Sequence, residues 1–135
     1  MILVDTSVLI DFLKGRQNEK TALLETVLER DIPFGISAFT YQEVLQGARD
    51  ETEYKVLQSY LGTQTIYYPP NEQGLYDRGA RLYFELRRSG VTVRSTIDVL
   101  IAITAIENNL MLLHNDRDFD SIASAVSEMK ILSAL

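Results

Sequence analysis

Short apolar runs, too brief to be helices, alternate along this chain with longer segments of helical spacing, and that alternation leaves few folds open. Met1 to Val4, Phe34 to Ser37, Thr65 to Tyr68, Leu110 to Leu113 and Lys130 to Leu132 read as five strands. Between them, apolar residues recur at helical spacing. A short helix spans about Val8 to Lys14 and closes at Gly15, and a second covers Glu19 to Arg30. Thr40 can cap a third that runs to about Ala48, and a fourth covers Glu51 to Leu61. A long helix spans Glu72 to Arg88 and ends at Ser89-Gly90, a strongly apolar one spans Thr96 to Asn108, and a weaker one Phe119 to Ser127. Strands joined through helices cannot be hairpin partners, so the expected class is α/β with a mainly parallel five-stranded sheet flanked by helices. No repeat, low-complexity tract or linker interrupts the pattern, and 135 residues suit a single domain over 1–135.

The absence of cysteine excludes disulfides and thiolate metal sites. The first apolar run stops at Asp5, too soon for a secretory leader, and no stretch reaches the ~20 apolar residues of a membrane span. A cytoplasmic setting away from the membrane is expected. The net charge of −6 argues at first against a nucleic-acid partner. Setting four carboxylates against metal charge leaves 15 acids facing 13 bases. The bases also cluster: from Asp77 to Arg94 stand Arg78, Arg81, Arg87, Arg88 and Arg94 against two acids. Such a patch, with Lys14 and Arg16, can hold phosphates; a solvated helix face is the alternative.

The acids carry the chemistry. In an open parallel sheet, ligands bind beyond the carboxyl ends of the strands, where the strand order reverses. Asp5 ends the first strand and Asp116 follows the fourth. Asp98 sits near the start of a helix that is apolar nearly all round, Thr96-Ile97-Asp98-Val99-Leu100-Ile101-Ala102. A carboxylate on a buried helix needs a partner or a metal, or else serves as a first-turn acid favoured by the helix dipole. Glu43 lies on a half-apolar helix and could equally be a surface glutamate. Asp5 could be a helix cap, and Asp118 or Asp120 could cap the last helix. Together, Asp5, Glu43, Asp98 and Asp116 form a set that Mg²⁺ or Mn²⁺ would suit, because hard cations prefer carboxylate and water oxygens. Thr6 and Ser7 can hydrogen-bond Asp5 or a metal-bound water, with Asp118 as a further supporting acid.

The pattern Val4-Asp5-Thr6-Ser7, then Glu43 with Gly47, then Ile97-Asp98-Val99-Leu100-Ile101-Ala102, then Met111 to Leu113 followed by Asn115-Asp116-Arg117-Asp118-Phe119 resembles the PIN-domain nucleases, and within them the VapC-type toxins. The resemblance covers almost the whole chain. It implies a three-layer domain with sheet order 3-2-1-4-5 and Mg²⁺- or Mn²⁺-dependent endoribonuclease action through metal-activated water. It implies Asp5, Glu43, Asp98 and Asp116 as the acids that hold the metal. It also implies a structured RNA substrate such as tRNA, a VapB-type antitoxin as partner, and a homodimer. The family usually has Thr or Ser at the end of the fourth strand, where this chain has His114, its only histidine. Tyr67, Tyr68 and Tyr83 could stack on unpaired bases.

The main rival is a signalling receiver domain, which would want paired acids after the first strand and a phospho-accepting Asp after the third. Here Thr6-Ser7 and Tyr68-Pro69-Pro70 stand in those places. A phosphatase of the haloacid-dehalogenase type would want an Asp where Ser7 stands. A binding module without catalysis would not need the intact acid set.

Overall fold

A computed structural model describes all residues, 1–135. In chain order the elements are β1 (Ile2–Val4), α1 (Thr6–Leu13), α2 (Glu19–Glu29), β2 (Phe34–Ser37), α3 (Ala38–Gln46), α4 (Glu51–Leu61), β3 (Thr65–Tyr67), α5 (Gln73–Arg88), α6 (Thr96–Glu107), β4 (Met111–Leu113), α7 (Arg117–Ala125) and β5 (Lys130–Ile131). The five strands form one sheet in the order β3-β2-β1-β4-β5, and every pairing is parallel. β1 therefore lies between β2 and β4, and the strand order reverses at the β1/β4 pair. This order excludes the receiver-type reading, whose fold has order 2-1-3-4-5.

Successive side chains of a strand point to opposite faces, and the two cores divide accordingly. Leu3 and Leu112 join α5, α6 and α7 in one apolar cluster. Ile2, Val4, Ile36 and Leu113 join α1, α2, α3 and α4 in the other. The sheet is thus the middle of three layers. α6 explains why its sequence is apolar on every side: residues Val99 to Ala105 are all buried, with α5, α7 and β4 packed around it.

Three helices start earlier than the sequence expectation, each set by the side chain that caps it: Asp5, one of the caps the sequence offered, at α1, and residues other than the expected ones at α3 and α7. α1 begins at Thr6, since Asp5 accepts from the Ser7 N–H. α3 begins at Ala38, capped by Ser37; Thr40, the expected cap, is buried inside it. α7 begins at Arg117, capped by Asp116, so Asp118 and Asp120 fall in its first turn and do not cap it. In each case the cap is the last polar residue before the helix, which satisfies an otherwise unpaired N–H at once. The expected ends of α1 and α5 stand: Gly15 and Gly90 follow with φ of +73° and +83°, values that favour glycine. At Gly35, β2 and β3 approach so closely that an added Cβ would lie 2.5 Å from the Tyr67 ring and 2.7 Å from the Thr65 carbonyl oxygen.

Candidate active site

The parallel ladder carries β1 and β4 to the same edge, where the Asp5 N–H donates to the Leu113 carbonyl at 2.9 Å. Asp5 is 4% exposed. Its Oδ2 accepts from the Ser7 N–H at 3.0 Å and the Ser7 hydroxyl at 2.6 Å. The Asn115 N–H in turn donates to Ser7 Oγ at 2.9 Å, which ties the start of α1 to the loop after β4. Burial pushes the Asp5 carboxyl above its usual range; the Ser7 bonds oppose this, and the charge of Glu43 adds to it.

Glu43 enters from α3. Thr6 Oγ1 lies 2.9 Å from Glu43 Oε1 and 3.0 Å from Thr40 Oγ1. A hydroxyl has one proton, so Thr6 donates to the carboxylate and accepts from Thr40. The Thr6 hydroxyl therefore supports Glu43, while Ser7, the other neighbour offered by the sequence, bonds Asp5.

Asp98 occupies the first turn of α6, half-buried. The carboxylate oxygens of Asp98, Asp116 and Asp118 lie within 4.8 Å of one another. Burial, followed by the charges of Asp116, Asp5, Asp118 and Glu43, pushes the Asp98 carboxyl up to about 7. Five acids from β1, α3, α6 and α7 thus act on one another across a single crevice. Asp5 and Glu43 lie outside the tight triad but close enough for their charges to reach Asp98. The set of hard oxygens suits a divalent cation, and mutual repulsion is what such a cation would relieve.

Asp118 supports the site, as the sequence suggested, but through a pairing with Arg94 that the sequence did not indicate. Asp118 is buried, and its Oδ2 accepts from both the backbone N–H and Nε of Arg94, at 3.1 and 3.0 Å. Arg94 Nη2 donates to Asp116 Oδ1 at 3.0 Å, the same oxygen that accepts the Asp118 N–H. Burial works against an ionised Asp118, but the Arg94 hydrogen bonds and charge outweigh it and hold its carboxyl below the usual range. The only sequence signal was that Arg94 closely precedes Asp98.

His114, at the end of β4, is 1% exposed. Its Nδ1 accepts the Asp116 N–H at 3.0 Å, so the ring is the neutral tautomer with its proton on Nε2. A threonine or serine hydroxyl accepts from the residue two further on in the same way, so the histidine keeps that turn while filling more space, its ring 5.2 Å from that of Phe119. Nε2 faces Asp120 Oδ1 at 3.2 Å, out of line for a hydrogen bond. Burial lowers the ring pKa, against the opposing charge of Asp120.

The basic residues are less free than the sequence suggested. Arg78 pairs with Glu72 and Glu107, Arg81 with Glu85, and Arg16 with Asp11. Arg87 and Arg88 have no such partner and lie over the rings of Tyr83 and Phe84, at 6.0 and 5.5 Å. Lys14 is exposed, as is Tyr68, whereas Tyr67 and Tyr83 pack partly against the core. A groove of about 420 Å³ between α5 and α6, lined by Tyr76, Tyr83, Phe84, Arg87, Thr96 and Leu100 among others, lies beside the acids and not over them.

The family model for the PIN domain matches residues 2–125. Ribonuclease VapC11 of Mycobacterium tuberculosis is 30% identical over 127 residues, covering 91% of this chain and 92% of that protein. Among solved structures, a toxin–antitoxin complex from Klebsiella pneumoniae contains a chain 26% identical, with a TM-score of 0.67, covering 97% of this chain and 100% of that one. The DNA-bound VapBC of Salmonella typhimurium contains one with a TM-score of 0.74 at 21% identity, covering 98% of each chain. With its acid crevice at the β1/β4 switch and a match along nearly its full length, this chain belongs to the PIN-domain family, in its VapC branch.

Proposed function

We propose that this chain, as one PIN domain over residues 1–135, is a Mg²⁺- or Mn²⁺-dependent endoribonuclease and the toxin of a toxin–antitoxin pair. The observation that carries the metal-dependent part of this reading is the convergence of Asp98 with Asp116 and Asp118, which bring carboxylate oxygens within 4.8 Å of one another, with the charges of Asp5 and Glu43 close enough to act on Asp98. In this reading Asp5, Asp98 and Asp116 hold the ion and Glu43 reaches it directly or through water. When bound, the ion supplies a water of lowered pKa and neutralises charge on the phosphodiester.

The chain's own residues do the rest. Ser7 fixes Asp5 through two bonds to one oxygen, and Thr6 fixes Glu43. The first turn of α7 and Arg94 hold Asp116. Asp5, Glu43 and Asp116 are thereby held in place before substrate arrives, so little reorganisation of these acids remains to be done in the reaction. Arg87 and Arg88, which lack carboxylate partners, are the strongest candidates for the RNA backbone. Arg78, Arg81, Arg16 and Lys14 can contribute where phosphates displace exposed and therefore weak ion pairs. The names of the relatives support ribonuclease action, and the toxin–antitoxin complexes among the structural neighbours support a VapB-type antitoxin here; a homodimer belongs to the same proposal. A structured RNA such as tRNA is the proposed substrate and the cytoplasm the proposed setting. No helix is long and apolar enough to cross a membrane.

Total cellular RNA incubated with the chain should fragment in Mn²⁺ and stay whole in EDTA. Asp98→Asn should lower cleavage at least a hundredfold, the scale of removing one group that stabilises a transition state. Cleavage by the Asn variant at the wild-type rate would remove Asp98 from the reaction.

A further inference from the structure

Of the five arginines between residues 78 and 94, the structure shows only Arg94 bonded to acids of the crevice. The guanidinium carries five N–H groups in a fixed fork. Its Nε is bound by Asp118 and its Nη2 by Asp116. Its backbone N–H bonds the same Asp118 oxygen, so the start of the side chain is fixed as well. Nη1 makes no hydrogen bond in the protein, and the side chain is 63% exposed while that of Asp118 is only 7% exposed. A buried carboxylate thus holds an exposed arginine by its inner edge and leaves the outer edge facing solvent. Asp116, the second contact, lies within 4.8 Å of Asp98. Because this fork is already fixed by a buried carboxylate, binding a phosphate there costs little side-chain entropy, whereas the α5 arginines are paired only with exposed carboxylates or with none. Both N–H donors on Asp118 Oδ2 come from Arg94, whereas Asp116 Oδ1 takes one from Arg94 and one from the start of α7 and its side chain is more exposed.

Building on the ribonuclease reading, we propose that Arg94 is a catalytic residue that grips the RNA phosphate undergoing cleavage through its free Nη1 edge, and that Asp118 is its positioning residue and not a metal ligand. The pairing resolves why two acids, Asp116 and Asp118, follow β4 so closely. Asp116 would hold the ion, and Asp118 holds the arginine. No bond is made or broken by Arg94; it offsets charge on the phosphoryl oxygens as the strand is cut.

The test uses the full chain as wild type, Arg94→Ala, Arg94→Lys, Asp118→Asn and the double variant Arg94→Ala/Asp118→Asn, which avoids leaving Asp118 as an uncompensated buried charge. Three readouts separate the roles. Mn²⁺ affinity by electron paramagnetic resonance should stay within tenfold of wild type in all four variants, the allowance reflecting that Arg94 also holds Asp116. Binding of a short fluorescein-labelled single-stranded RNA in EDTA should lose about 0.7 of its log–log salt slope in Arg94→Ala, the value of one phosphate contact. Turnover in Mn²⁺ should fall by about 10²–10³ in Arg94→Ala and in the double variant, with KM changed less, and Arg94→Lys should recover only part of it. A loss of Mn²⁺ affinity beyond tenfold in Asp118→Asn would make Asp118 a metal ligand and overturn the assignment. So would wild-type turnover, or an unchanged salt slope, in folded Arg94→Ala. A wild-type chain that binds Mn²⁺ but cuts no RNA would instead sink the ribonuclease reading, and the inference with it.

Discussion

Replacing Asp98 by Asn keeps the shape of the side chain and removes the charge that its neighbours resist, so in the absence of metal the variant should be the more stable protein. The wild-type carboxyl sits at about 7 instead of 3.8. At 1.36 kcal/mol per pH unit, that difference corresponds to about 4 kcal/mol if the group felt no solvent. Asp98 is half-buried, and water and salt screen it, so the expected gain is about 1–2 kcal/mol. Attraction between an ionised Asp98 and the start of α6 acts the other way and is smaller, about 0.3–1 kcal/mol. The sign depends on pH. An acid whose folded pKa is raised costs nothing below its unfolded value, costs progressively more as pH rises from about 4 to 7, and costs a constant amount above that. Thermal unfolding in EDTA should therefore show the Asn variant melting about 3–8 °C above wild type at pH 8, with the gap closing near pH 4. A variant that melts below wild type at pH 8, or a gap of the same size at both pH values, would refute the picture of crowded carboxylates.

His114→Leu removes the acceptor for the Asp116 N–H and should cost about 1–3 kcal/mol in chemical denaturation. His114→Asn, with an oxygen near the Nδ1 position, should recover part of that loss. Because burial lowers the His114 pKa, its contribution is fully present above about 6.5 and lost as pH falls below it. Wild type should show this loss and His114→Leu should not, as unfolding at pH 5 and 7.5 would reveal. Gly35→Ala should destabilise by about 1–3 kcal/mol, because the new methyl meets the Tyr67 ring and the Thr65 carbonyl; an unchanged denaturation midpoint would mean that β2 and β3 are further apart.

Much of this architecture was readable from local patterns. Short apolar runs marked the strands, and the all-round apolar Thr96–Asn108 segment announced a buried helix, as α6 is. The sheet order came only from the family resemblance, because nothing local says that β1 lies between β2 and β4. Helix starts shifted where two polar residues competed to cap. Ser37 displaced Thr40, and Asp116 displaced Asp118, a choice made by backbone direction at the strand end. Asp5, Glu43, Asp98 and Asp116 could be named as acids that would gather, and Ser7 as a neighbour able to bond Asp5, but the long-range supports could not. Thr6 reaches Glu43 across 37 positions and Arg94 reaches Asp118 across 24. Those contacts exist only once the sheet has brought α1 beside α3 and placed α7 by the loop before α6. The arginine patch was overstated because Arg78 and Arg81 have carboxylate neighbours a helical turn or a helix away, which a count of charges along the chain does not show.

In the proposed function, acids far apart in sequence gather into one crevice that a divalent cation makes tolerable. Titration of Mn²⁺ into wild type, Asp5→Asn and Asp98→Asn at pH 7.5, followed by electron paramagnetic resonance, tests it most directly. Saturable binding to wild type, weakened at least tenfold by either substitution, is the expected result; equal Mn²⁺ affinity in all three chains would contradict it.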